Sequence, residues 1–204
     1  MKKIFLFCLV LLSGKTFAQE SNKSFLQGIA DRLSFGVKAG SNYGNFTNAG
    51  FATDPLLGFH AGPSVSFRMG DHVSVVEDFL FTMEGAKNKS TLFGGQDIKL
   101  YYVAVPVVFR YKTNMGLFIE AGTQTSIKVH EEVSGLKESG LTNGSFAKNM
   151  NMGAVGGIGY LSKTGLGVTA RYVYGLTKVN NFNDQTISKD FKSYTAQVSL
   201  FYNF

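Results

Sequence analysis

Eight segments of this chain alternate apolar and polar residues with a period of two, and the connections between them alternate strictly between long and short. The segments are 34–43, 58–69, 73–84, 98–111, 116–128, 151–161, 166–176 and 191–204. The odd connections are "GNFTNAGFATDPLL", "GAKNKSTLFGGQD", "VHEEVSGLKESGLTNGSFAKNM" and "TKVNNFNDQTISKD"; the even ones are "GDH", "KTNM" and "SKTG". A period of two is that of a strand whose faces meet different surroundings. In an antiparallel meander every odd connection emerges at one end and every even one at the other. Long outer loops, short periplasmic turns, an even strand number and segments of about ten residues are the plan of outer-membrane barrels. The pattern predicts an all-β, eight-stranded antiparallel up-and-down transmembrane β-barrel over 34–204. Both termini are then periplasmic and the long loops extracellular.

The faces agree with this plan. The second segment sets Phe59, Ala61, Pro63, Val65 and Phe67 against His60, Gly62, Ser64, Ser66 and Arg68. The seventh sets Leu166, Val168, Ala170, Tyr172 and Tyr174 against Gly167, Thr169, Arg171, Val173 and Gly175. The last puts Tyr194, Ala196, Val198, Leu200, Tyr202 and Phe204 on one face. An edge strand with such a face would aggregate in water, and closure in lipid removes the edge. A soluble lipocalin-like barrel would use the same alternation inside out. Two features oppose it: the polar face is rich in Gly and Ser, which suits a narrow lumen, and the aromatics gather at strand ends, as interfacial girdles do.

The first residues read as a targeting segment. Residues 1–18, "MKKIFLFCLVLLSGKTFA", have a basic start, a short apolar run and a cleavage site expected after Ala18. The apolar run is too short to span a bilayer. Cys8 follows no lipobox and leaves with this segment, so the mature chain has no cysteine and no disulfide framework. Residues 19–33 form a polar lead in which Phe25, Leu26, Ile29 and Leu33 suggest one or two helical turns. The formal charge of +6 falls to +3 when Lys2, Lys3 and Lys15 are removed, and the remaining cations are scattered. That distribution offers no footprint for nucleic acid. The expected setting is the outer membrane of a gram-negative bacterium, with outer-membrane lipid and the barrel-assembly machinery as partners.

The stretches "FGVKAGSNYGNF", "GFHAGPSVSF", "VSVVEDFLFTMEGAK", "LYYVAVPVVFRY", "GLFIEAGTQTS", "GGIGYLSKTGLGVTARYVYGLTKV" and "VSLFYNF" resemble, in order and spacing, the PorT-like family of small outer-membrane β-barrels. The resemblance implies the barrel fold and, for some members, an accessory role in secretion across the outer membrane. This chain departs from the family in two inward slots. Ala104 stands where a carboxylate is usual in the fourth strand, and Asp78 aligns with the usual inward Glu of the third, which turns Glu77 toward lipid.

Signals for chemistry are weak. A hydrolase needs a nucleophile, a histidine and an orienting group converging at one surface. His60 with Ser126 or Ser41 is the pairing to check, while His72 and His130 read as solvated rim residues. The run His130-Glu131-Glu132 lacks a second histidine at ligand spacing and reads as a solvated loop. Gly153, Gly157 and Gly159 fall on one inward face and precede no helix, which excludes a phosphate loop. The expectation is a protein without enzymatic activity, cofactor or metal. Lys38, Asp78, Glu120 and Arg171 point inward at similar distances from their strand starts and are expected to form a lumen ion network. Arg68 and Arg110 are expected nearer the periplasmic end, and Glu84 and Lys128 near the outer rim. Tyr202 and Phe204 are expected to serve as an assembly signal. The function that follows is structural, binding or secretion-accessory, through the loops or periplasmic rim, toward an unidentified envelope protein or secretion component. A narrow channel for ions or small solutes is the alternative, and a lipid-modifying enzyme the third.

Overall fold

The computed structural model describes residues 23–49, 52–89, 97–133, 146–179 and 191–204. The expected targeting segment 1–18 and much of the long loops, including 134–145 and 180–190, lie outside the described residues. Residues 1–33 and 34–204 form two units. The first contains helix α1 (Lys23–Ala30), closed by Asp31 N–H donating to the Gln27 carbonyl at 2.9 Å.

The strands are β1 (Leu33–Thr47), β2 (Thr53–Arg68), β3 (Val73–Asp78), β4 (Leu80–Asn88), β5 (Ile98–Lys112), β6 (Leu117–Glu132), β7 (Met150–Leu161), β8 (Leu166–Gly175) and β9 (Lys192–Asn203). Neighbouring strands from β2 through β9 run antiparallel, as do β1 and β9, and β1 also pairs with β2, so the sheet closes. Segments β3 and β4 are one barrel strand, because their registers with β2 and β5 continue across Phe79. Phe79 N–H donates to the Pro63 carbonyl at 2.9 Å, but proline has no N–H to return the bond. The barrel therefore has eight strands.

The strands run further outward than their periodicity predicts. Gly44–Thr47 pair with Thr195–Lys192, and Thr53–Pro55 pair with Asn88–Ala86. Residues 44–47 and 53–57, expected in the first loop, thus belong to strands. Pro55 is accommodated because the β2–β4 register shifts between Pro55 and Phe59.

Polar residues fill the inside and apolar residues cover the outside. Lys38, Asn42, His60, Asp78, Arg110, Glu120, Gln124, Arg171 and Gln197 are buried, while Phe35, Phe109, Ile119, Ile158, Val198 and Leu200 are exposed. A soluble barrel has the reverse arrangement. Exposed Tyr43, Tyr172 and Tyr174 mark one end of this apolar band, and Tyr111, Tyr160 and Tyr202 the other. Glu77 lies on the outward face, half-buried between Val65 and Val107, two residues from the interruption at Phe79.

Candidate functional site: the lumen and its outer cap

Reading β6 from its periplasmic start, Phe118, Glu120, Gln124 and Ser126 enter the lumen in turn. At the bottom, the Phe118 and Phe201 rings meet edge to face at 6.0 Å between centroids. The Arg110 guanidinium lies over Phe118 at 4.0 Å, a cation–π arrangement that caps the aromatic pair.

Above this pair lies a chain of ions. Lys38 Nζ donates to Asp78 Oδ2 at 2.6 Å, and Arg171 Nη1 donates to the same oxygen at 2.6 Å. Arg171 Nε also donates to Glu120 Oε1, whose other oxygen accepts from Arg110 Nε at 3.1 Å and Nη2 at 2.9 Å. Thr169 Oγ1 adds a bond to Glu120 Oε1 at 3.3 Å. Lys38, Asp78, Glu120 and Arg171 are thus brought into one connected cluster with side chains 0–1% exposed. Arg110 belongs to it as well. Counting from strand starts set it lower, but the β5–β6 register places it directly opposite Glu120. The glycines of β7 make room for the cluster: a Cβ on Gly157 would stand 2.9 Å from Arg171 Cγ, and one on Gly159 would stand 2.3 Å from the Phe118 ring.

A second cluster sits at the closure of the barrel. His60 Nδ1 lies 2.6 Å from Asn42 Oδ1, and His60 Nε2 lies 2.7 Å from Ser199 Oγ. The Asn42 amide nitrogen donates to the carbonyls of Phe59 and Met83 and to Thr82 Oγ1. Its oxygen therefore faces the ring, so Nδ1 carries the proton and Nε2 accepts from the serine hydroxyl. This corrects the pairing of His60 with Ser126 or Ser41: the closing register sets Ser199 opposite Gly40, whose missing side chain leaves space for the imidazole. The order hydroxyl, imidazole, amide is that of a nucleophile relay. Each member is only 1% exposed, however, so a substrate has no approach. The cluster ties β1, β2, β4 and β9 together and acts as a clasp on the seam.

The outer end is closed by an apolar cap. Phe46, Phe146 and Phe191 pack with centroids 5.2–6.3 Å apart, together with Ile98, Leu100, Ala147 and Val179. Glu131 was expected in a solvated loop. It lies in β6, and its carboxylate accepts from the backbone N–H groups of Phe146 and Ala147 at 2.9 and 3.2 Å and from Lys128 at 2.7 Å. This carboxylate fastens the cap to the wall. His130 stays exposed beside Tyr101 and Glu132. Among the described residues no group of three or more His, Cys, Asp or Glu is arranged to hold a metal.

A closed sheet with an apolar exterior, aromatic girdles and a packed polar lumen defines a small integral outer-membrane β-barrel. The family model described as "Outer membrane protein beta-barrel domain" matches residues 17–181, and the chain belongs to that family. Among solved structures, it is similar to Neisserial surface protein A, with TM-score 0.57, 19% identity, and coverage of 84% of this chain and 99% of that one. It is also similar to the outer membrane protein OprG from Pseudomonas aeruginosa, with TM-score 0.50, 10% identity, and coverage of 84% and 95%. These likenesses are of fold. No curated protein sequence matches the chain significantly.

The orientation has a direct consequence. Epitope tags within 129–150 and 177–190 are expected to be labelled on intact cells. Tags within 70–72 or 162–165 should be reached only after the outer membrane is breached. Labelling of the short turns on intact cells would reverse the orientation.

Proposed function

We propose that this protein is a non-conducting barrel that binds or scaffolds another envelope component through its rim and loops. The observation that supports this reading is the filled lumen. Aromatic rings occupy its lower end, paired ions its middle and the phenylalanine cap its outer mouth. Eight strands enclose a space that side chains fill, so a pore needs small or absent inward residues. Here the inward residues are large and mutually bonded, which disfavours the channel reading. The resemblance to PorT-like barrels supports the finer version, in which the component served is part of a secretion apparatus. The lipid-modifying alternative is disfavoured by the inaccessible serine of the seam clasp.

Planar-bilayer recordings of the purified protein are expected to show no conductance steps above the bare bilayer. Steps of reproducible size whose ion selectivity changes in Arg171→Met would establish the channel instead. Crosslinking on intact cells is expected to join the mature protein, beginning near Gln19, to a distinct envelope protein. Recovery of the barrel crosslinked to nothing but itself would overturn the binding role.

A further inference from the structure

A small chamber lies between the ion cluster and the outer cap. It has a volume of about 30 Å³, and its wall includes Glu84, Gln124, Ser126, Asn151, Ser193 and Thr195. Glu84 brings a carboxyl group to this wall, where it receives two long hydrogen bonds, from Thr82 Oγ1 at 3.4 Å and Thr195 Oγ1 at 3.3 Å. No ion pair among the described residues includes Glu84. The inward lysine at this end, Lys128, is engaged by Glu131 at 2.7 Å and by the Ala147 carbonyl at 2.5 Å.

Two more oxygens of the wall lack partners among the described residues, Gln124 Oε1 and Asn151 Oδ1. Gln124 is only 3% exposed. The amide nitrogens of these residues donate to Ser126 Oγ at 3.1 Å and to Tyr102 Oη at 3.2 Å. Each carbonyl oxygen is therefore open to a further ligand, as is the second N–H of each amide. A buried acceptor without a donor signals a missing water or ion. Two such acceptors on one wall with a carboxyl group that has no ion partner among the described residues suit a bound cation.

We propose that this chamber binds one small monovalent cation. Glu84 supplies the countercharge, and Gln124, Asn151 and the neighbouring hydroxyls supply neutral oxygen ligands. An all-oxygen donor set suits a hard cation. A single carboxylate balances a single positive charge, and no richer acidic group is available among the described residues. The chamber has space for an ion with about one water, since a single water needs roughly 10–15 Å³ by the same measure. The ion would hold β4, β6 and β7 together at the height where the lower ion cluster no longer reaches.

The test uses the full chain folded in detergent, with unfolding followed by the shift in gel mobility on heating. Sodium, potassium and N-methylglucamine chlorides are compared at equal ionic strength. Sodium or potassium is expected to raise the midpoint over N-methylglucamine along a saturating curve, and the larger rise identifies the ion. Glu84→Gln is expected to abolish that rise. Equilibrium dialysis against radioactive sodium should find one ion held per wild-type chain and several-fold weaker retention in Gln124→Leu, which keeps the carboxylate. Equal wild-type midpoints in the three salts with no sodium retained would mean that the chamber holds only water beside a neutral carboxyl. A rise that survives Glu84→Gln would also overturn the site. If Glu84→Gln fails to fold, the dialysis of wild type and Gln124→Leu decides.

Discussion

Replacing Glu120 with alanine is expected to destabilise the folded barrel more than any single change at its surface. Its two carboxylate oxygens serve two guanidinium groups, Arg110 and Arg171, in a lumen where all three side chains are at most 4% exposed. Removal leaves two buried like charges facing the space that Glu120 occupied. Breaking a buried pair from one side costs about 3–5 kcal/mol, because the partner remains charged and desolvated. Glu120→Gln keeps the shape and one acceptor, so its loss should fall between those of wild type and alanine. Lys99→Ala removes an exposed pair with Glu132 at 3.7 Å and should cost no more than about 1 kcal/mol. Midpoints of heat-induced mobility shift in detergent order the variants. Equal shifts for Glu120→Ala and Lys99→Ala would show that the lumen is wet enough to screen its charges.

Alternation along the chain was enough to assign the inward and outward faces of the second, seventh and last segments, because a register slip of one residue would invert the whole pattern. The short turns carry more than topology. "KTNM" makes Arg110 and Glu120 opposite neighbours, so that ion pair was within reach of a register argument and was missed by counting depth from strand starts. The outer limits of β1 and β2 are hidden as well, because Gly, Asn and Pro interrupt the apolar beat and make Gly44–Thr47 and Thr53–Leu57 look like loop. Other features leave no local trace. His60 and Ser199 are 139 residues apart and meet because the sheet closes. The cap gathers Phe46, Phe146 and Val179 from connections that have no period at all, and Phe191 from the first position of the last segment. Glu131 illustrates the same difficulty. A charged residue beside His130 and Glu132 reads as solvated loop until the backbone donors of Phe146 and Ala147 arrive from the far end of that loop.

Deleting Phe204 is expected to reduce the amount of assembled barrel sharply at unchanged synthesis. Val198, Leu200, Tyr202 and Phe204 share the outward face of the closing strand, and the last three are 64%, 41% and 76% exposed. Tyr202 and Phe204 meet edge to face at 5.3 Å, so the pair presents one aromatic surface at the periplasmic end. Phe204 also donates its N–H to the Phe35 carbonyl at 2.8 Å, extending the seam between last and first strands by one bond. As a girdle residue alone, it would contribute about 1.5–3 kcal/mol through burial of its side chain in lipid. The lost backbone bond would add about 0.5–1.5 kcal/mol. Losses of that size weaken a folded barrel without preventing its delivery to the membrane. A recognition signal read by the assembly machinery acts earlier, on the unfolded chain, and its loss stops insertion whatever the final stability. Phe67→Ala separates the two roles, because Phe67 faces lipid on β2 and is not part of the closing strand. Heat-modifiable protein in outer-membrane fractions is the quantity to compare at matched expression. Sharp loss for the deletion with near-normal amounts of Phe67→Ala supports the signal. Equal amounts of the two variants would leave Phe204 as one more girdle residue.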